Sequence, residues 1–180
     1  MKILEATELS HLLNSEEPIP QVNKGIKSHV QLLYRNSWFN EVNDSSKNPK
    51  LRLYKCLKTD YVVEPYLYIN VPKYRVALSR LRLSSHHLGI EKGRHARPVI
   101  PADQRFCTTC ITEIDDEIHF VTKCSKHSTL RKNLFSIVLT LVPNFCNMSE
   151  KEKFVTIMQS EDPHILLSLA KFCYMAWKEK

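Results

Sequence analysis

Cys107, Cys110, His119 and Cys124 fall within eighteen residues, in the run CTTCITEIDDEIHFVTKC. The spacing is C-x2-C, eight residues, then H-x4-C. Three thiols and an imidazole form one of the closed donor sets that zinc takes tetrahedrally. A C-x2-C pair lets one tight turn present two thiolates to a common point. His119 and Cys124 are five apart, about 140° around an ideal helix, so the two meet at one metal only if the helix ends before Cys124. Cys124-x2-His127 is also a workable zinc spacing, and spacing alone leaves His119 and His127 open as the fourth ligand. The expected ion is a structural Zn²⁺. There is no H-E-x-x-H, no H-x-E paired with P-C-x-x-C, and no position evidently kept open for water.

The elements that must position these ligands read as helices. Residues 22–42 carry Ile26, Val30, Leu33, Tyr34, Trp38 and Val42 at helical spacing. A short helix is expected at 50–58, and an extended linker or short helix at 60–70 around Pro65. The next helix, at 71–84, has Asn70 as its cap and Pro72 in its first turn. Tyr74, Ala77, Leu78 and Leu81 share one stripe of it, with Val76 and Leu83 opposite, so both sides are expected to be covered. Residues 84–106, with two glycines and two prolines, read as too irregular for a long helix. A helix at 128–142 ends at Pro143. Another, at 149–159, opens on a Ser149–Glu152 capping box. The last starts at Pro163 under an Asp162 cap and is apolar almost all round, which places it in the core or against a partner. The fold class expected is mainly α, a helical domain with an embedded Cys₃His zinc knuckle. The organisation expected is a helical region at 1–71, a basic helix with the zinc module at 72–135, and C-terminal helices at 136–180 on the same core.

Charge is concentrated beside the cysteines. The chain has 180 residues and a net charge of +7. Residues 72–105 hold eight basic and two acidic side chains, so most of the excess lies in one block. Such a block attracts polyanions. Arg75, Arg80, Arg82, Lys92, Arg94, Arg97 and Arg105 are the candidate contacts to nucleic-acid phosphates; these would position RNA or DNA without reading its bases. Only three glycines are present, against the clustered glycine of phosphate loops and dinucleotide folds. Cys56, Cys146 and Cys173 lie in apolar company and read as buried structural thiols. The opening stretch, MKILEATELSHLLNSEE, has no leader-like apolar core, and six cysteines then suit an intracellular chain, nuclear or cytoplasmic.

A longer pattern surrounds the ligands. RLRLSSHHLGIE at 80–91, Gly93-Arg94, Arg105-Phe106 before the first cysteine, DEIHF at 116–120, Lys123 before Cys124 and Leu130-Arg131 follow one another. Together, over roughly residues 75–135, they resemble the zinc-binding region beyond the polymerase domain in reverse transcriptases of non-LTR retrotransposons. Residue 125, often proline in that family, is serine here. The resemblance favours His119 over His127 and implies a nucleic-acid-handling module. It does not imply polymerase chemistry, since the only Asp-Asp pair, Asp115-Asp116, follows Glu113-Ile114 rather than an aromatic turn. The expectation is a non-enzymatic tail module. Its alternatives are a protein-interaction or scaffold domain, whose last helix docks on a polymerase domain or a second copy, and a transposon-derived remnant without nucleic-acid binding.

Overall fold

The computed structural model describes residues 19–178. The opening stretch read for a leader lies outside them. The chain divides between Pro49 and Lys50 into two compact units. Residues 50–71, 72–135 and the C-terminal helices all fall in the second unit.

Among the described residues of the first unit, helix α1 runs Ile19–Asn43. Asp44 closes it: its Oδ1 accepts the backbone N–H of Ser46 and of Lys47 in a side-chain turn. Val22, Ile26 and Val30 are half-buried, whereas Leu32, Leu33, Tyr34 and Phe39 are exposed.

The second unit is helical, with a lone antiparallel bridge between Phe106 and Ile114 and no strand among the described residues. Its helices are α2 (Tyr54–Leu57), α3 (Pro72–Arg82), α4 (Gly89–His95), α5 (Glu117–Thr122), α6 (Ser128–Leu141), α7 (Glu150–Met158) and α8 (Pro163–Ala176). Short 3-10 turns join them, including Pro65–Tyr68, where Pro65 prevents the 60–70 stretch from becoming a strand. The capping reading holds for α7, where Ser149 and Glu152 bond reciprocally. It also holds for α8, where Asp162 accepts from the amides of His164 and Ile165. At α3 it fails: Val71, not Asn70, is the cap residue, and no side chain bonds the free amides.

The apolar α8 is the central helix. Leu169, Ala170 and Cys173 have no accessible surface, and α3, α6 and α7 pack around them. Leu78 and Leu81 from α3, Leu134 and Val138 from α6, and Phe154 and Ile157 from α7 complete the core. Truncating a leucine here, as in Leu169→Ala, costs roughly 2–5 kcal/mol. Ala77, Leu78 and Leu81 form the expected inward stripe of α3. Val76 and Leu83 on the other side are exposed, so α3 is covered on one side only. Among the described residues no helix is long and apolar enough to cross a membrane.

Candidate metal centre

The turn that carries the first ligand pair is built by backbone geometry. The amide of Cys107 donates to the Glu113 carbonyl at 2.8 Å, and Arg105 O accepts from Asp115 N at 2.8 Å. Beyond the inner rung the chain reverses through Cys107–Ile111, closed by Ile111 N donating to Cys107 O at 2.8 Å. Ile111 adopts a φ of 64°, a left-handed conformation that a β-branched residue takes only under constraint.

The second pair comes from α5. Asp116 caps it, its Oδ1 accepting from the amide of His119 at 2.8 Å, which fixes the ligand's own backbone. The helix ends at Thr122. Cys124 therefore lies past its end and turns back, its amide donating to His119 O at 2.8 Å. This is the early termination that the five-residue spacing requires.

The outcome is a cluster. One ligand atom from each of Cys107, Cys110, His119 and Cys124 lies within 4.8 Å of the others. Cys107 Sγ and Cys124 Sγ are 3.8 Å apart. A disulfide needs about 2.05 Å. Two thiolates bound tetrahedrally at a zinc–sulfur length of about 2.3 Å stand about 3.8 Å apart. Both ring nitrogens of His119 are buried and without a hydrogen-bond partner. Buried imidazoles are ordinarily bonded, so this orphaned pair points to a partner of another kind. The four residues can hold a metal ion.

Electrostatics agree with that reading. Burial holds the His119 imidazole below its usual range, the neutral form that donates a lone pair. Burial, with Cys107 alongside, pushes the Cys124 thiol up to about 12, so without a cation it stays protonated. The Ser125 hydroxyl and amide, 3.3 and 3.4 Å from Cys110 Sγ, lower the Cys110 thiol and favour its thiolate. His127 takes no part in the cluster. It is buried with its ring edge-on to Phe120 at 5.3 Å and close to Phe172.

Two supports around the cluster were not foreseen from sequence. Arg131 is buried, and its guanidinium donates to Val121 O at 2.9 Å, Phe120 O at 3.4 Å and Cys124 O at 2.5 Å. It thus satisfies the carbonyls at the end of α5 and holds the last ligand's backbone. The Leu130-Arg131 pair was visible in the wider pattern, but nothing in the sequence gave it a partner. On the opposite end of α5, Glu117 is buried. It accepts from Arg52 at 2.6 and 2.7 Å, from Ser84 Oγ at 3.1 Å and from His86 Nε2 at 2.9 Å. Burial pushes the Glu117 carboxyl up, but the His86 bond and the Arg52 charge outweigh it and hold the group at about 2.

The seven basic candidates separate into two groups. Arg82 is buried, paired with Glu64, bonded to Met158 O at 2.5 Å and stacked over the Tyr66 ring at 5.0 Å. It is an internal tie between α3 and α7, not a phosphate contact. Helical phase misplaced it because Glu64 and Tyr66 arrive from a preceding turn to receive it. Arg105 bonds Ile90 O at 2.6 Å and Ile100 O at 2.8 Å. It lies across Gly93, where any Cβ would come within 2.6 Å of it. Arg75 bonds Ile69 O at 3.0 Å, and Arg94 pairs with Glu91. Arg80, Lys92 and Arg97 are exposed, with no side-chain partner among the described residues. Of the remaining cysteines only Cys173 is buried; Cys56, in the short helix α2, and Cys146, in the 3-10 turn Phe145–Asn147, are exposed, which corrects the buried reading for both.

Comparison with protein-family models, with curated proteins and with solved structures finds no match to this chain.

Proposed function

We propose that the chain is a non-catalytic module in which a structural Zn²⁺, held by Cys107, Cys110, His119 and Cys124, organises a basic surface for the RNA or DNA backbone. In this reading it acts like the zinc-binding tail region of the retrotransposon reverse transcriptases that it resembles. The observation that carries it is the convergence of four donor atoms around an imidazole that has no other partner. A bound zinc would neutralise the crowded thiolates and tie the 107–111 turn to α5, adding folding free energy of order 10 kcal/mol. Arg80, Lys92 and Arg97 supply the phosphate contacts, because their charges are not spent inside the protein.

Two measurements test the two halves. Native mass spectrometry should find one zinc per chain and none in Cys107→Ser; metal retained in that variant overturns the ligand assignment. Fluorescence anisotropy with mixed-sequence RNA and DNA oligonucleotides should show binding that weakens steeply between about 50 and 200 mM salt. Three phosphate contacts predict a log–log slope of about −2 to −3. No binding at about 50 mM salt overturns the nucleic-acid reading.

A second reading, an interaction domain, is favoured by an apolar cleft of about 610 Å³ between α6 and α8, where Leu141, Leu167 and Met175 are exposed. Mass that rises with protein concentration would support it.

A further inference from the structure

A second cavity, of about 420 Å³, lies between Lys50, the α3–α4 connection and α4. Ser85 and His87 line it from the connection, Lys92 and His95 from α4. Lys92 and His95 are three apart on a helix, so they project as neighbours on one face. Lys50, His87, Lys92 and His95 are all exposed. The side chains of His87, Lys92 and His95 have no hydrogen-bond or ion-pair partner among the described residues, and Lys50 Nζ is held 3.3 Å from Ser85 Oγ at the rim. The acid in the lining, Glu91, is buried and committed: it pairs with Arg94, and Arg52 Nε lies 3.8 Å from it. Its charge is met from within the protein, while the rim cations face the opening with no counter-charge.

We propose that this cavity is a phosphate-binding subsite that takes one phosphodiester of a single-stranded nucleic acid, gripped by Lys50 and Lys92. The lysine ammoniums give the charge, and Ser85, His87 and His95 give donors around it. The imidazole rings also offer flat faces on which an adjoining base can stack. The proposal rests on the nucleic-acid reading above for the source of the phosphate, whereas the cavity's chemistry requires only the phosphate group. It also explains why the cations nearest the knuckle's supporting network remain open: Glu117 and Glu91 draw Arg52 and Arg94 inward, and Lys50 and Lys92 are left outside.

The experiment has two arms on the metal-loaded full chain. In the first, pyrophosphate is titrated while the His87 and His95 imidazole resonances are followed by NMR, assigned with His87→Gln and His95→Gln. Saturable shifts of both are expected; no shift with pyrophosphate or with an oligonucleotide overturns the proposal. In the second, anisotropy compares the wild type with Lys50→Glu/Lys92→Glu and with Arg80→Glu/Arg97→Glu. The first pair should weaken binding about tenfold or more and flatten the salt slope by about one, the share of the single phosphate they grip. Wild-type binding that the Lys50/Lys92 pair leaves unchanged overturns the subsite and the Lys92 contact, and leaves the general reading to Arg80 and Arg97, whose charge-reversed pair should then lose binding. Pyrophosphate shifts without oligonucleotide binding sustain the subsite for a free phosphate compound and overturn the nucleic-acid reading. Unchanged thermal stability and zinc content in the variants show that any loss is local.

Discussion

A single residue, Ile111, shows what the turn carrying the first two candidate ligands demands of the chain. Its φ of 64° and its 73% exposure mean that it is strained yet contributes little burial. Glycine would adopt the same backbone freely, at some entropic cost in the unfolded chain. Ile111→Gly is therefore expected to raise stability by about 1 kcal/mol, some 4 °C in Tm, when the zinc-loaded forms are compared by calorimetry. A fall in Tm would mean that the isoleucine makes a contact that outweighs its strain. Gly93 is the converse case. A methyl there meets Arg105 at 2.6 Å, so Gly93→Ala would dislodge the guanidinium from Ile90 O and Ile100 O.

At the scale of elements, α5 is a six-residue helix that could not persist alone and is clamped at both ends. Arg131→Met removes three carbonyl partners at the C-terminal clamp. Zinc affinity should fall about 10- to 100-fold, as for other groups that orient ligands, measured by competition with a chromogenic chelator. The N-terminal clamp carries a pH signature. The Glu117 carboxyl sits at about 2 in the folded protein and at about 4.5 when free. A depressed carboxyl contributes stability above its unfolded value and loses it as pH falls through the folded value. Glu117→Gln should thus destabilise the protein at pH 7. The gap between variant and wild type should narrow as pH drops from about 4.5 towards 2, by roughly 3 kcal/mol at most. Denaturant melts at several pH values read this directly, and a constant gap would show that the carboxylate's charge is not what matters.

For the whole molecule, the proposed metal centre and most of the helical core draw on different residues. The fully buried Leu78, Leu134, Phe154, Ile157 and Leu169 belong to elements other than the knuckle, whereas α5 adds Phe120 and Val121 to the same core. Chelation of zinc is therefore expected to leave most helical circular dichroism intact. Hydrogen exchange should accelerate over 105–127 while α8 stays protected. Loss of the entire helical signal on chelation would show that the core depends on the knuckle rather than the reverse. The 50–178 stretch behaves as one packed body, because α8 draws on α3, α6 and α7 together.

The linear chain determined what depends on neighbours a few residues away. Ser149–Glu152, Asp162–Pro163, the inward stripe of α3 and the apolar α8 all follow from local hydrogen bonds and helical phase, and all are present. The C-x2-C turn and the H-x4-C step belong to this class, since each needs only a short loop or a helix that stops in time. Tertiary structure decided whatever depends on partners far away in sequence. Arg82 is spent because Glu64 and Met158 converge on it, Glu117 is held by Arg52 across 65 residues, and His119 rather than His127 faces the thiols because Phe120 and Phe172 occupy the other ring. Charge can be counted along a sequence; whether a cation is free to meet a phosphate depends on the acids and carbonyls that folding brings beside it.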